Sequence, residues 1–151
     1  MSAESNIGQT VRNRIAQLHE IAPDSIGDRM GYELLCWDET GKHFRLRCRT
    51  FDWMRNGPGT LHGGMCATVV DQAMGFIAYC IKPGEGIAPT VQMQVEYHRP
   101  LIPGENVIVD VAVVSQTRSL MHLCSEAYSE SSTDKVCLTA SATYFYKPSG
   151  K

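Results

Sequence analysis

Apolar residues recur along this chain at two different periods, and each change of period marks a change of element. Residues 6–20 space Ile7, Val11, Ile15 and Leu18 at helical intervals. This predicts a short amphipathic helix that ends before a Pro23-Asp24 turn and packs on the outside of the domain. Between 32 and 50, Phe44, Leu46 and Cys48 alternate with Arg45, Arg47 and Arg49 after the turn residues Asp38-Glu39-Thr40-Gly41, the pattern of a hairpin with one wet face. Residues 52–60, DWMRNGPGT, carry two glycines and a proline and read as an irregular loop.

At 63–81 the apolar positions stop keeping to one stripe. Met65, Cys66, Val69, Val70, Ala73, Met74, Phe76, Ile77 and Tyr79 predict a helix that is apolar nearly all round and must be covered on several sides. After a Lys82-Pro83-Gly84-Glu85-Gly86 break come four strand-like stretches, 90–97, 107–114, 120–128 and 136–146. In the first, Val91, Met93, Val95 and Tyr97 alternate with Thr90, Gln92, Gln94 and Glu96. The connections, with Pro103-Gly104, Gln116-Thr117 and residues 129–135, are too short for crossover helices, so the pairing is antiparallel. The economical solution is an α+β fold in which one curved antiparallel sheet wraps one long central helix.

Composition narrows the function classes. The 151 residues are 43% hydrophobic, which suits one domain over 1–151 with residues 1–25 as N-terminal helix and lead-in. Net charge is −2 and the basic residues are scattered, so nucleic acid is not an expected partner. The first twenty residues lack the apolar core of a signal peptide, and no run of about 18 consecutive apolar residues occurs, so neither secretion nor a membrane partner is expected. Six cysteines, at 36, 48, 66, 80, 124 and 137, show no CxxC or Cys/His ligand spacing. They read as reduced residues of a cytoplasmic protein.

Within the predicted central helix, Asp71 is out of place, because an ionised carboxylate among apolar neighbours costs several kcal/mol unless it is paired or solvated. It can sit on a solvated stripe, or it can serve chemistry. Its same-face neighbours are Ala67, Thr68, Met74 and Gly75, with Gly64 one turn further, which is a track of small residues rather than of ion-pair partners. His62, Gly63 and Gly64 stand where loop becomes helix. Free N–H groups and the positive dipole end suit a developing oxyanion there, although His-Gly-Gly alone also fits an ordinary tight turn.

Asn56, then His62 six residues on (62 − 56), Gly63-Gly64, and Asp71 nine after the histidine (71 − 62) form a rarer set. This pattern, Asn56…LHGGMCATVVDQAMG, resembles the hotdog-fold thioesterases of the phenylacetic-acid-pathway (PaaI-like) branch, and PTVQMQVEYHRPLIPGE and TASATYFYK are similar to later strands of that family, covering about residues 30–147.

The resemblance implies hydrolysis of an acyl-CoA thioester to free acid and CoA. Gly63 N–H and the Asn56 side chain would polarise the carbonyl, Asp71 would activate water or attack directly, and His62 would hold the loop and favour the leaving thiolate. Thr90 stands where many relatives have a Ser or Thr that orients the water. Gly64, Met74 and Trp53, with Phe51 and Met54, are candidate walls for the substrate, while Arg99, Arg118 and Lys147 are candidates for the coenzyme A phosphates. No metal and no cofactor are expected, coenzyme A being part of the substrate. The alternative is a non-catalytic acyl-CoA or lipid-binding module on the same fold.

Nine helical residues span about 13 Å, too far for His62 and Asp71 of one chain to flank one carbonyl. A homodimer with shared sites is therefore expected, assembled edge to edge through the strand at 90–97, with two dimers forming a homotetramer.

Overall fold

The computed structural model of the protein describes residues 5–81 and 88–146. The expected N-terminal helix is broken in two, α1 (Ser5–Ala16) and α2 (Leu18–Ile21), and is followed by an unforeseen turn of helix, α3 (Ile26–Met30). Ser25 starts α3 by accepting from the Asp28 N–H, and Gly31 ends it in the left-handed region at φ 55°, a local capping signal that the apolar period did not carry. Val11 of α1 is fully buried, and α1 packs against the central helix and the first strand.

The hairpin forms as expected from β1 (Glu33–Trp37) and β2 (His43–Arg49), with Phe44, Leu46 and Cys48 buried. The loop after it carries one short 3-10 turn, Asp52–Met54. The central helix α4 (Gly63–Ile81) has the expected bounds, and is followed by β3 (Thr90–Tyr97), β4 (Asn106–Gln116), β5 (Leu120–Ser129) and β6 (Leu138–Phe145). All neighbouring strands are antiparallel, in the order β1-β2-β4-β5-β6-β3.

That order departs from a simple meander. The Pro103-Gly104 connection does not pair β3 with β4; instead β3 crosses to the far edge and pairs with β6, its Thr90 opposite Tyr144 and its Tyr97 opposite Leu138. β3 is thereby an edge strand of eight residues. Its alternation holds only in the middle: Met93 and Val95 pack on the core, but Val91 is 60% and Tyr97 55% exposed. The two ends of an edge strand have a neighbour on one side only, and their apolar residues are left uncovered by this chain.

α4 is apolar because the sheet wraps it. Val69, Val70, Ala73, Met74 and Ile77 have no exposed surface, while Thr68, Asp71, Gln72 and Gly75 lie half-buried along one face. Three tyrosines fasten the helix to its surroundings through its backbone: Tyr97 donates to the Gly63 carbonyl (2.9 Å), Tyr32 to that of Val69 (2.8 Å) and Tyr144 to that of Asp71 (2.9 Å). Tyr32 and Tyr144 place their rings in the core and need a partner for the hydroxyl, and a helix carbonyl has a second lone pair to offer; Tyr97 makes its bond from an exposed ring.

Candidate active site

The loop before α4 is closed by Asn56. Its Oδ1 accepts from the Thr60 N–H (3.0 Å), its Nδ2 donates to Thr60 Oγ1 (2.9 Å), and its backbone N–H donates to the Thr60 carbonyl (2.8 Å). His62 then donates its N–H to the Met54 carbonyl, fastening the loop to the start of the helix. The His62 ring turns back so that Nδ1 accepts from the Gly64 N–H at 3.0 Å, a side-chain cap on one of the free donors of the first turn. A Cβ at Gly64 would stand 3.2 Å from that ring. The Gly63 and Met65 N–H groups have no acceptor among the described residues, so two donors are left open at the positive end of α4, that of Gly63 at its first position.

Asp71 lies two and a half turns further along. Its Oδ1 accepts from Thr90 Oγ1 (2.8 Å) and shares the Tyr144 hydroxyl proton (2.8 Å) with the Asp71 backbone carbonyl, while Oδ2 has no donor among the described residues. The carboxylate therefore sits on a half-buried stripe with its hydrogen bonds concentrated on one oxygen. It opens on a cleft of about 520 Å³ walled by Leu18 and Ile21 of α2, Phe76 and Tyr79 of α4, and Ala88 and Pro89 before β3. Arg14 stands at this cleft with its guanidinium 4.6 Å from the centre of the Tyr79 ring.

Sequence spacing did not find Tyr144. A signal was present, since β6 reads Ala140, Ala142, Tyr144 on one buried face, and a large residue with a hydroxyl following small ones needs a polar partner to be buried there. Burial, and next the Asp71 carboxylate beside it, push this phenol well above its ordinary range. Its hydroxyl is thus held in the protonated, donating form more firmly than that of an ordinary tyrosine.

The candidates fall into two groups. His62, Gly63 and Gly64 gather at the start of α4, fastened to the loop that Asn56 closes; Asp71 and Thr90 gather at its middle. Eight residues of helix, about 12 Å, lie between Gly63 and Asp71. β3 touches both groups, by Tyr97 at one end and Thr90 at the other.

The expected substrate walls fare differently. Trp53 is 68% exposed on the 3-10 turn, but Met74 and Met54 are closed in the core and present no surface to a ligand, because α4 turns Met74 toward the sheet while Asp71 faces outward. Arg99 donates to the Val136 carbonyl (2.7 Å) just before β6, whereas Arg118 lies in the β4–β5 turn, whose Thr117 carbonyl accepts from Tyr146 just after β6. Roughly 26 Å of strand separates them, so one chain cannot close both on one set of phosphates. Lys147 lies outside the described residues.

Buried thiols show no sign of use. Burial pushes Cys48 up to about 12 and Cys66 and Cys80 up to about 11, away from the thiolate form that a nucleophile needs.

Known proteins share the fold and part of the sequence of this chain. Acyl-coenzyme A thioesterase 13 of Homo sapiens is 36% identical over 67 residues, a stretch covering 43% of this chain and 46% of that protein. The match thus spans less than half the length of this curated relative. Thioesterase superfamily member 2 from Mus musculus superposes with a TM-score of 0.72 at 21% identity, over 96% of this chain and 98% of that one. A phenylacetic acid degradation-related protein of Ralstonia eutropha superposes with a TM-score of 0.73 at 15% identity, over 87% and 98%. These two likenesses establish the hotdog fold, a six-stranded antiparallel sheet around one long helix. The family model of the thioesterase superfamily matches residues 58–136, more than half of the chain and both groups of site residues from Gly63 to Thr90, and the protein belongs to that superfamily.

Proposed function

We propose that this protein hydrolyses an acyl-CoA thioester to a free acid and coenzyme A, in a homodimer whose two sites are each built from both copies, and that it does so in the cytoplasm. The observation that carries the proposal is the Asp71 carboxylate, held on Oδ1 by two hydroxyls and open on Oδ2 beside an apolar cleft, in a chain of the thioesterase superfamily.

In this reading the thioester carbonyl oxygen accepts from the open Gly63 N–H of one copy, with the second Nδ2 hydrogen of Asn56 assisting. Asp71 Oδ2 of the other copy takes a proton from water as the water oxygen bonds to the carbonyl carbon. When the tetrahedral intermediate collapses, the C–S bond breaks and the leaving sulfur takes the proton that Asp71 accepted from water, which returns Asp71 to its carboxylate form. His62, whose ring is fixed by Gly64, stands on the leaving-group side. The composite arrangement is favoured by the 12 Å gap within one chain, about four times the reach of a hydrogen bond. It is favoured also by β3, an edge strand with uncovered apolar ends that a second copy running antiparallel would cover. The same pairing would bring the Arg99 end of one copy toward the Arg118 end of the other.

Purified protein offered a panel of aryl, medium-chain and long-chain acyl-CoAs, with free thiol followed by a chromogenic reagent, tests the reading directly. Release of CoA from one class supports hydrolysis. Saturable binding of acyl-CoA without release would overturn it in favour of a binding module.

A further inference from the structure

The hydroxyl of Tyr144 reaches Asp71 from a strand 73 positions away in sequence and touches it twice, at the backbone carbonyl (2.9 Å) and at Oδ1 (2.8 Å). Its ring is almost fully buried, at 1% exposure, and it forms part of the lining of the cleft onto which Asp71 opens. Gly75, one turn after Asp71, makes room for it: a Cβ there would stand 3.4 Å from Tyr144 Cε1, at the limit of ordinary contact. Part of the small-residue track on α4 therefore serves the close approach of this ring.

Thr90, paired with Tyr144 across β3 and β6, donates to the same Oδ1. Two donors on one carboxylate oxygen fix the plane of the group and leave the other oxygen without a donor among the described residues, the freer of the two to accept. From this geometry we infer that Tyr144 is a positioning residue: it holds the Asp71 carboxylate in the orientation in which Oδ2 addresses the attacking water. The inference rests on the hydrolase reading above and adds to it a residue that acts only through Asp71. Because the phenol stays protonated, it supplies its hydrogen bond without entering the proton transfer itself.

The test compares Tyr144→Phe, Asp71→Asn and the double variant in the full chain, with an acyl-CoA that the wild type hydrolyses. Phenylalanine preserves the packed ring and removes only the hydroxyl. Loss of a preorganising hydrogen bond should lower kcat roughly tenfold with KM within about twofold. In the Asp71→Asn background the same change should alter the residual rate by less than about twofold, because residues acting through one group are not additive. A tenfold loss in both backgrounds, or none in the wild type, overturns the inference. A readout without turnover separates it from the hydrolase reading. Proton NMR should show a slowly exchanging hydroxyl resonance that is absent in Tyr144→Phe and moves upfield in Asp71→Asn, where a neutral amide oxygen replaces the carboxylate. No such movement overturns the Tyr144–Asp71 link whether or not acyl-CoA is split. The resonance with no hydrolysis of any acyl-CoA overturns the hydrolase reading alone.

Discussion

The start and the middle of α4 hold polar groups by opposite means. At the start, polar groups are met locally: the His62 ring takes the Gly64 N–H from two residues away, and Asn56 closes the loop on Thr60 four residues on. Among the described residues the Gly63 and Met65 N–H groups are left open. At the middle, an acceptor is held by groups from far along the chain, Thr90 on β3 and Tyr144 on β6. The start is therefore a property of the loop-to-helix turn, and the middle exists only once the sheet has closed. A donor site and a carboxylate thus stand about 12 Å apart on one helix, and β3 is bonded to both.

The comparison breaks most sharply at Asp71. Asp71→Asn should lower kcat by about 10²- to 10⁴-fold while the assembly and the far-ultraviolet circular dichroism stay as in wild type. A loss below tenfold would remove Asp71 as the base. At the other end, Gly63→Pro takes away the open N–H and little else, since proline is welcome at the first helical position and a Cβ there would meet only the Tyr97 ring at 3.7 Å. Loss of one oxyanion donor should cost about 10²- to 10³-fold in kcat.

Mixing those two inactive variants after reversible dissociation sharpens the point. If each site takes its donor from one copy and its base from the other, a hybrid dimer has one intact site. Random reassociation then restores about a quarter of wild-type activity, a result that two-fold symmetry requires. Hybrids confirmed by mass spectrometry but without activity would place donor and base in the same chain.

Smaller effects should come from the buried acids that take no part in either group. The folded state holds Cys48, Cys66 and Cys80 protonated to about pH 11 or 12, whereas an ordinary thiol ionises near 9.0. Between those values the unfolded chain binds fewer protons than the folded one, so unfolding becomes easier as pH rises. The stability that these thiols contribute is fully present below about pH 9 and is lost as pH climbs toward 11. Thermal midpoints measured from pH 7 to 10.5 should be level at first and then fall. The smallest effect is expected from iodoacetamide at neutral pH: Cys36, the exposed thiol, should react first, and hydrolysis should survive. Loss of turnover with substrate still bound would require a cysteine in the mechanism.

Much of the helix-and-loop half was legible beforehand. The bounds of α4 follow from an apolar run with a His-Gly-Gly start, and the misplaced charge at Asp71 follows from the same run. What misled was also local: residues 6–20 read as one helix, although Gln17 interrupts it between α1 and α2, and Met74 read as a substrate wall from its place near Asp71 although it faces the core. Three residues of separation leave a helical side chain about 60° from its starting direction, so Met74 neighbours Asp71, yet at the edge of the half-buried stripe that turn is enough to put it in the core.

By itself, then, the sequence determined what depends on hydrogen bonds and side-chain patterns a few residues apart: the strand spans to within about two residues, the long helix, and the spacing of Asn56, His62, Gly63 and Asp71. Tertiary structure decided that β3 lies at the sheet edge against β6 rather than beside β4, and with that the meeting of Tyr144, Thr90 and Asp71. The reason is physical. A strand's alternation says which side chains share a face and nothing about which strand it will pair with, so contacts across 73 residues are fixed only by the closure of the sheet around the helix.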